Sequence, residues 1–444
     1  MKVLFVNDST TSSSWGGRGA TVPLRMMIAQ SGGDIVRTIT IDDLINSSLD
    51  LSAPTAPKGT AERNYKEIVR LFVPPVLLQA RRAALQRCGV IREDASIPGS
   101  WADYGRCVDK VIGKDTPWPG LLKAIEDVDV AVVHGDGDIS GTFVVPRTLL
   151  FLSFLIKKYF KKPVIMIDHS ADLDHPDLLR VAREVYPLFD DVVFRDPVSL
   201  QQCKTLCKGR FAADTAFWFR PAPRETWTPI SGRSTYFDVW PDTAPFDPSE
   251  PYLCVGGSSI FHEAKDRDSV VNGYGLLIQH LRSMYSGKIV LTVSDALDQP
   301  IFRALAQRFQ LPLIGITTPI QQAVDILGNA DAYIGGRWHA SIFALRGGTP
   351  LLALSSQTFK MRALTDMTGW SPATFDAREL GHETRAIGRQ LSQLLEQGRD
   401  LRSRLCAWAD EMAESSWGNV SYLDKVRART GVTGTRRSMI ERTS

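Results

Sequence analysis

Cysteine is scarce: six residues in 444, namely Cys88, Cys107, Cys203, Cys207, Cys254 and Cys406, all scattered. Cys203 and Cys207 are the close pair, and no two further ligands stand near them to complete a zinc site. The thiols read as reduced ones in a cytoplasmic protein. Long apolar runs are also missing. The best, "TLLFLSFLI" from Thr148 to Ile156, falls far short of the ~20 residues a membrane span needs, so it reads as a buried helix. The basic "KKYFKK" after it (157–162) reads as a solvated helix end, with contact to an anionic membrane surface as the lesser alternative. The opening "MKVLFVNDST" reaches Asn7 and Asp8 too soon for a signal peptide. Charge of one sign is lacking too: the net charge is +3, which gives no support for sequence-independent nucleic-acid binding. Two glycine fingerprints are absent. Gly16-Gly17-Arg18-Gly19 lacks the G-x-G-x-x-G spacing, which disfavours a nicotinamide dehydrogenase, and no Gly-Lys-Ser/Thr follows "VGGSS" (255–259).

What is present is a strand-then-helix rhythm, in a chain that is 43% hydrophobic and 23% charged and long enough for two domains. "KVLFVND" (2–8), "KPVIMIDHS" (162–170) and "DDVVF" (190–194) read as strands separated by helical stretches, and "VDVAVVHGDGD" (128–138) as a strand running into a Gly/Asp loop. "PYLCVGGSS" (251–259), "KIVLTVSD" (288–295), "LPLIGIT" (311–317) and "DAYIGG" (331–336) repeat the rhythm. Uninterrupted Val/Ile/Leu runs alternating with helices predict parallel sheets covered on both faces. The expected organisation is an N-terminal α/β domain over 1–222 with a helical insertion at about 58–113, and a proline-rich linker over 223–250. A C-terminal α/β domain (251–378), C-terminal helices (379–430) and a disordered tail (431–444) follow. In open α/β sheets ligands bind beyond the carboxyl ends of the strands, so both domains would turn such loops toward a shared cleft.

Several of these strand ends carry reactive residue types. In "IGGRWHASIFALRGGTPLLAL" (334–354), Arg337 and His339 stand where a strand gives way to a helix. Unpaired helical N–H groups, a guanidinium and an imidazole together make a site for phosphate or carboxylate. The alternative is Arg337 paired with a nearby aspartate such as Asp331, with His339 in the core. Asp136 and Asp138, in the expected loop "HGDGD" after His134, could accept hydrogen bonds from sugar hydroxyls or serve as a general base, or simply form an Asx turn. Asp196 before Pro197 has a helix-capping explanation, whereas Arg195 has none and would point into the cleft. Ser258 and Ser259 put two hydroxyls at another strand end, and Trp15, Trp218 and Trp338 are candidate sugar platforms.

Taken together, these segments resemble the polysaccharide pyruvyl transferase family. "DAYIGGRWHASIFALRGGTPLLAL" is similar to its strand, Arg-x-His-Ala, Gly-x-Pro signature. "VVFRDPVSLQQC" resembles its Val-Arg-Asp-x-x-Ser element, "VVHGDGDISG" its glycine loop, and "AADTAF" its Pro-Asp-x-Ala-Phe, with Asp214 as the match. The four occur in the family's order, and with the flanking strands the resemblance spans roughly Lys2 to Lys360. It departs at the N-terminal loop, where Trp15-Gly16-Gly17-Arg18 replaces Asn-x-Gly-Asp, and at "SSQTFK", which keeps Lys360 but not the tyrosines.

The resemblance implies an α/β fold of the glycosyltransferase-B type, two Rossmann-like domains facing a cleft. It implies transfer of pyruvate from phosphoenolpyruvate to two sugar hydroxyls, giving a cyclic ketal. A nucleotide-sugar glycosyltransferase of the same fold ranks second. The resemblance carries donor binding and catalysis to Arg337 and His339, and a donor-side place to Arg195. The loops themselves add Ser258, Ser259 and Lys360 as donor-binding candidates and Asp136 and Asp138 as catalytic ones. Trp15, Arg18 and His134 are the acceptor-side candidates. Neither a metal nor a cofactor is expected, phosphoenolpyruvate being a co-substrate. The other partner is a carbohydrate acceptor, with a lipid-linked one admitted. The expected location is cytoplasmic, extending to the inner membrane face.

Overall fold

The computed structural model describes residues 1–46, 49, 51, 96–141, 143–223, 244, 250–262, 267–370 and 373–430. Most of the expected insertion and linker, and the 431–444 tail, lie outside the described residues. The described end of the insertion is a turn, Trp101–Asp103, leading into the helix Tyr104–Ile112.

Two six-stranded sheets organise the chain. The first holds β1 (Lys2–Asp8), β2 (Asp34–Thr40), β3 (Val130–Ser140), β4 (Val164–Asp172), β5 (Asp191–Phe194) and β6 (Arg210–Phe211), in the order β2-β1-β3-β4-β5-β6. The second holds β7 (Tyr252–Ser258), β8 (Lys288–Thr292), β9 (Leu313–Ile314), β10 (Ala332–Gly336), β11 (Leu351–Leu354) and β12 (Thr374–Phe375), in the order β12-β11-β10-β7-β8-β9. Every pairing is parallel. β1 shows why. Leu4 and Val6 enter one hydrophobic cluster while Val3 and Phe5 enter another on the opposite face, so both faces of the strand are buried.

The strand order reverses between β1 and β3 in the first sheet and between β7 and β10 in the second. Such switch points open a crevice beyond the strand ends. Here they place Asn7 and Asp136 in one sheet, and Ser258 and Arg337 in the other, at the ends of neighbouring strands.

Two segments tie the halves together. The helix Trp15–Gln30 is N-capped by Ser14 and buries Trp15 in the core of the second sheet. Its glycines are a packing device. A Cβ on Gly16 would lie 2.4 Å from His339 Nδ1, and one on Gly19 would lie 2.5 Å from Phe343 Cζ. "WGGRG" is therefore a helix face pressed against the helix Trp338–Arg346, not the loop its composition suggests. At the other end, the C-terminal helices return to the first sheet. Val420, Leu423 and Val426 pack with Val3, Phe5 and Val130, and Asn419 Oδ1 accepts the Asp168 N–H at 2.9 Å.

No described helix is long and apolar enough to cross a membrane. The Thr148–Ile156 run lies within the helix Val144–Lys158 and is largely buried. Two of the basic residues after it are committed locally: Lys157 pairs with Asp190 at 2.6 Å, and Lys162 donates to the Glu126 and Val128 carbonyls at 2.7 and 2.9 Å.

Candidate active site

A cavity of about 400 Å³ lies where the two switch points face each other. Asp136, Asp138, Ser140 and Arg195 line it from the first sheet, and Ser259, Arg337, His339 and Lys360 from the second.

On the first-sheet side the backbone itself is unusual. Asn7, Asp136 and Asp168 end or bend β1, β3 and β4 with φ of +70°, +43° and +51°. Non-glycine residues adopt such angles only where surrounding contacts hold them, at a cost of order 1–3 kcal/mol each. The register shift after Asp136 marks the same irregularity. The segment expected as a loop is thus a bulged continuation of β3. The bulge aims the Asp136 and Asp138 carboxylates at the cavity.

Arg195 is the hub. Its side chain is only 1% exposed; Nη1 donates to Asp136 at 2.6 Å and Asp214 at 2.9 Å, and Nε donates to Ser170 at 3.0 Å. The guanidinium also lies 4.9 Å from the centre of the Trp338 ring, a cation–π contact. The Trp338 indole N–H donates to Asp214 at 2.8 Å. Trp338 therefore joins the two sheets, holding Asp214 with its N–H and Arg195 with its ring. Burial works against the charge on Arg195, but the Asp136, Asp214 and Asp168 carboxylates more than offset it and keep the group protonated.

The two cavity carboxylates are driven apart. Burial raises the pKa of Asp136, yet Arg195 and His339 outweigh it and hold the carboxyl well below its usual range. Asp138 is raised, first by burial and then by the charge of Asp136, while a hydrogen bond from Asn7 Nδ2 at 2.8 Å opposes the shift. Two acids in one site with opposed shifts suit different roles. Asp136 is held as an anion beside Arg195 and His339, while Asp138 carries the raised pKa.

On the second-sheet side, Arg337 is not an open cation. Its guanidinium grips Asp298 through Nε at 3.0 Å and Nη2 at 2.7 Å, and lies 3.5 Å from Asp295. The partner is not Asp331, which receives a hydrogen bond from Tyr285 at 2.6 Å. Arg337 borders the cavity with its charge largely spent on two carboxylates. His339 stands at the centre, Nε2 lying 3.4 Å from Asp214, 3.8 Å from Asp136 and 3.4 Å from Arg195 Nη1. Lys360 reaches across to donate to the Gly137 carbonyl at 2.8 Å. Burial and the nearby Arg195 lower its pKa, so an arriving anion would favour its charged form. Two helices, Trp338–Arg346 and Lys360–Thr368, start at the cavity wall, and their first-turn N–H groups have no partner within the helix.

A family model for polysaccharide pyruvyl transferase matches residues 60–358. The chain belongs to that family. The match begins later than the resemblance read from the residues, and Lys360 lies just beyond its end. No relative matches among curated proteins. Among solved structures, the UDP-GlcNAc 2-epimerase of Neisseria meningitidis is similar at TM-score 0.53 and 14% identity, covering 96% of this chain and 100% of the other. The spinosyn rhamnosyltransferase SpnG gives 0.50 and 14%, covering 97% and 100%, and the S. aureus MnaA–UDP structure gives 0.51 and 10%, covering 97% of each. At such identity the likeness is one of fold: two Rossmann-like domains of the glycosyltransferase-B type with a C-terminal helical segment.

Within this member of the pyruvyl transferase family, the cavity gathers Asp136, Asp138, Arg195, Ser259, Arg337, His339 and Lys360. Four expected residues are not there. Ser258 is buried, its hydroxyl donating to the Ser355 carbonyl and accepting from Ile260 N–H, so it fastens β7 to the end of β11. Trp15 is fully buried, its indole N–H donating to the Ile316 carbonyl at 3.1 Å, and it cannot serve as a sugar platform. Arg18 turns its guanidinium to the Ile316 and Ser13 carbonyls, at 2.6 and 3.4 Å. His134 is fully buried between Thr21 and Asp168, at 3.3 and 3.6 Å, beneath the cavity floor. Conversely, Asp214 and Asn7 position cavity residues without having been assigned a role. For Asp214 the "AADTAF" match was the available signal; for Asn7 there was none beyond its place at the end of the first strand.

The contact of Gly16 with His339 gives a direct test of this geometry. Gly16→Ala sets a methyl group against the imidazole, and misplacement by about 1 Å can cost up to ~10²-fold in rate. Turnover is expected to fall at least tenfold, with a melting temperature within a few degrees of wild type. An unchanged rate would show that His339 is not held where described.

Proposed function

We propose that the protein transfers the pyruvyl group of phosphoenolpyruvate to two hydroxyls of a sugar in a glycan, forming a cyclic ketal. The observation that carries this reading is the meeting, on one cavity, of two helix N-termini and Lys360 with Asp138 and His339. Phosphoenolpyruvate has a phosphate and a carboxylate, and two helix N-termini flanking a lysine supply two anion seats. Arg337, held by Asp298 and Asp295, shapes the strand end from which one of those helices starts.

The chemistry follows from the placement of the acids. His339 delivers a proton to the methylene carbon, which becomes the ketal methyl group. Asp138 takes the proton of the attacking hydroxyl. The bond from C2 to the phosphate oxygen breaks with its electron pair, and the second hydroxyl closes the ring on the oxocarbenium carbon. Two C–O bonds form; of the two hydroxyl protons, one balances the new methyl hydrogen and the other leaves with phosphate. Asp136, Asp214 and Arg195 hold His339 in place and set the field around it.

Asp138 must be ionised to act as the base. Because its pKa is raised, the rate should fall as pH drops through a point above the ordinary carboxylate range, and be complete above it. Asp138→Asn is expected to lower turnover by about 10²-fold and to remove that acidic limb from the pH–rate profile. A limb that persists in the variant would assign it to another group. The donor is tested by isothermal titration: binding of phosphoenolpyruvate, and none of UDP- or dTDP-sugars, is expected. The reverse pattern would replace this reading with glycosyl transfer.

A further inference from the structure

The cavity has an apolar lip that the reaction above leaves unused. Phe143, Val145 and Pro146 line it immediately after the bulged end of β3, and the Phe143 side chain is part of a residue 66% exposed. Phe143 is thus an exposed aromatic on the wall of a polar cavity, whereas Trp15 and Trp338 are buried. Its ring is also seated. Gly141 has φ of +62°, and a Cβ there would lie 3.0 Å from Phe143 Cε2, so the missing side chain makes room for the ring. The rest of the wall is polar, with Asp136, Asp138, Ser140 and Ser259 among its residues. An exposed ring at the edge of such a cavity fits a molecule with one apolar face and a polar edge.

We propose that Phe143 is the acceptor platform, stacking on the C–H face of a pyranose ring of the glycan. The slightly positive C–H groups of a pyranose face suit the negative face of an aromatic ring. Phe143 stands five positions after Asp138, so their Cα atoms are at most about 18 Å apart and the two can serve one glycan. The platform rests on the reading that the acceptor is a sugar. It adds which residue grips that sugar.

The test has a binding arm and a turnover arm. Ligand-observed saturation-transfer NMR uses methyl β-D-galactopyranoside, methyl β-D-glucopyranoside and methyl α-D-mannopyranoside, each carrying a free diol. Wild type is expected to give a signal with at least one of them, Phe143→Ala to lose it and Phe143→Tyr to keep it. In turnover with the same glycoside, Phe143→Ala should raise the acceptor KM about tenfold, about 1.4 kcal/mol, with the loss falling on that KM rather than on the KM for phosphoenolpyruvate. No wild-type signal with any of the three, or an acceptor KM within twofold of wild type in Phe143→Ala, overturns the platform. A signal that Phe143→Ala loses, in a protein that releases no phosphate from phosphoenolpyruvate, upholds the platform and removes the pyruvyl reading instead.

Discussion

Arg195→Met is expected to give a protein that melts about 6–20 °C lower and has no measurable turnover. The side chain is buried among the carboxylates of Asp136 and Asp214, and its removal leaves two anions without their cation. Breaking a buried pair in this way costs about 3–5 kcal/mol, because the remaining charges stay desolvated. For domains of this size each kcal/mol moves the melting temperature by about 2–4 °C. The rate is lost for a separate reason. Asp136 and Asp214 no longer hold a fixed charge beside His339, and Trp338 loses the cation on its ring. Arg195→Lys should recover part of the stability, since it keeps the charge, but little of the rate. An ammonium cannot reach Ser170, Asp136 and Asp214 with the spread of a guanidinium. Calorimetry and steady-state rates on the three proteins check this; a Met variant melting with wild type would refute the hub.

His339→Ala is expected to lower kcat by about 10²–10⁴-fold while leaving the fold intact. The imidazole lines the cavity, so its removal enlarges an existing polar cavity rather than opening a void in a hydrophobic core. Its neighbours on the first sheet, Asp136 and Asp214, remain paired with Arg195. The loss should therefore fall on turnover rather than on stability, which separates this variant from Arg195→Met. A rate within threefold of wild type, with an unchanged melt, would remove His339 from the chemistry.

Much of this arrangement is readable in the chain. The strands with unbroken Val/Ile/Leu runs are legible because burial on both faces leaves no polar alternation. β2 is not, since "DIVRTIT" is an edge strand of mostly half-buried positions with no unbroken apolar run, and β6 and β12 are only two residues long. The cavity positions of Asp136, Asp138, Arg195, Arg337, His339 and Lys360 followed from their places at strand ends and from the family resemblance. Their partners did not. Asp298 lies 39 residues from Arg337, and Asp214 lies 124 residues from Trp338; nothing local signals either pair. "WGGRG" misled for a physical reason: small residues serve a loop and a close helix crossing equally well, and only the position of His339 and Phe343 tells them apart. The tryptophan between Arg337 and His339, unexplained by spacing, proves to be the link between the two sheets.

The measurement closest to the central claim follows phosphate release from phosphoenolpyruvate, with and without a glycan, while the glycan product is watched by proton NMR. Phosphate release is expected only when a glycan is present, matched mole for mole by a new ketal methyl singlet, and abolished in His339→Ala. Phosphate released equally without glycan, or a glycan consumed with no methyl singlet, would contradict it.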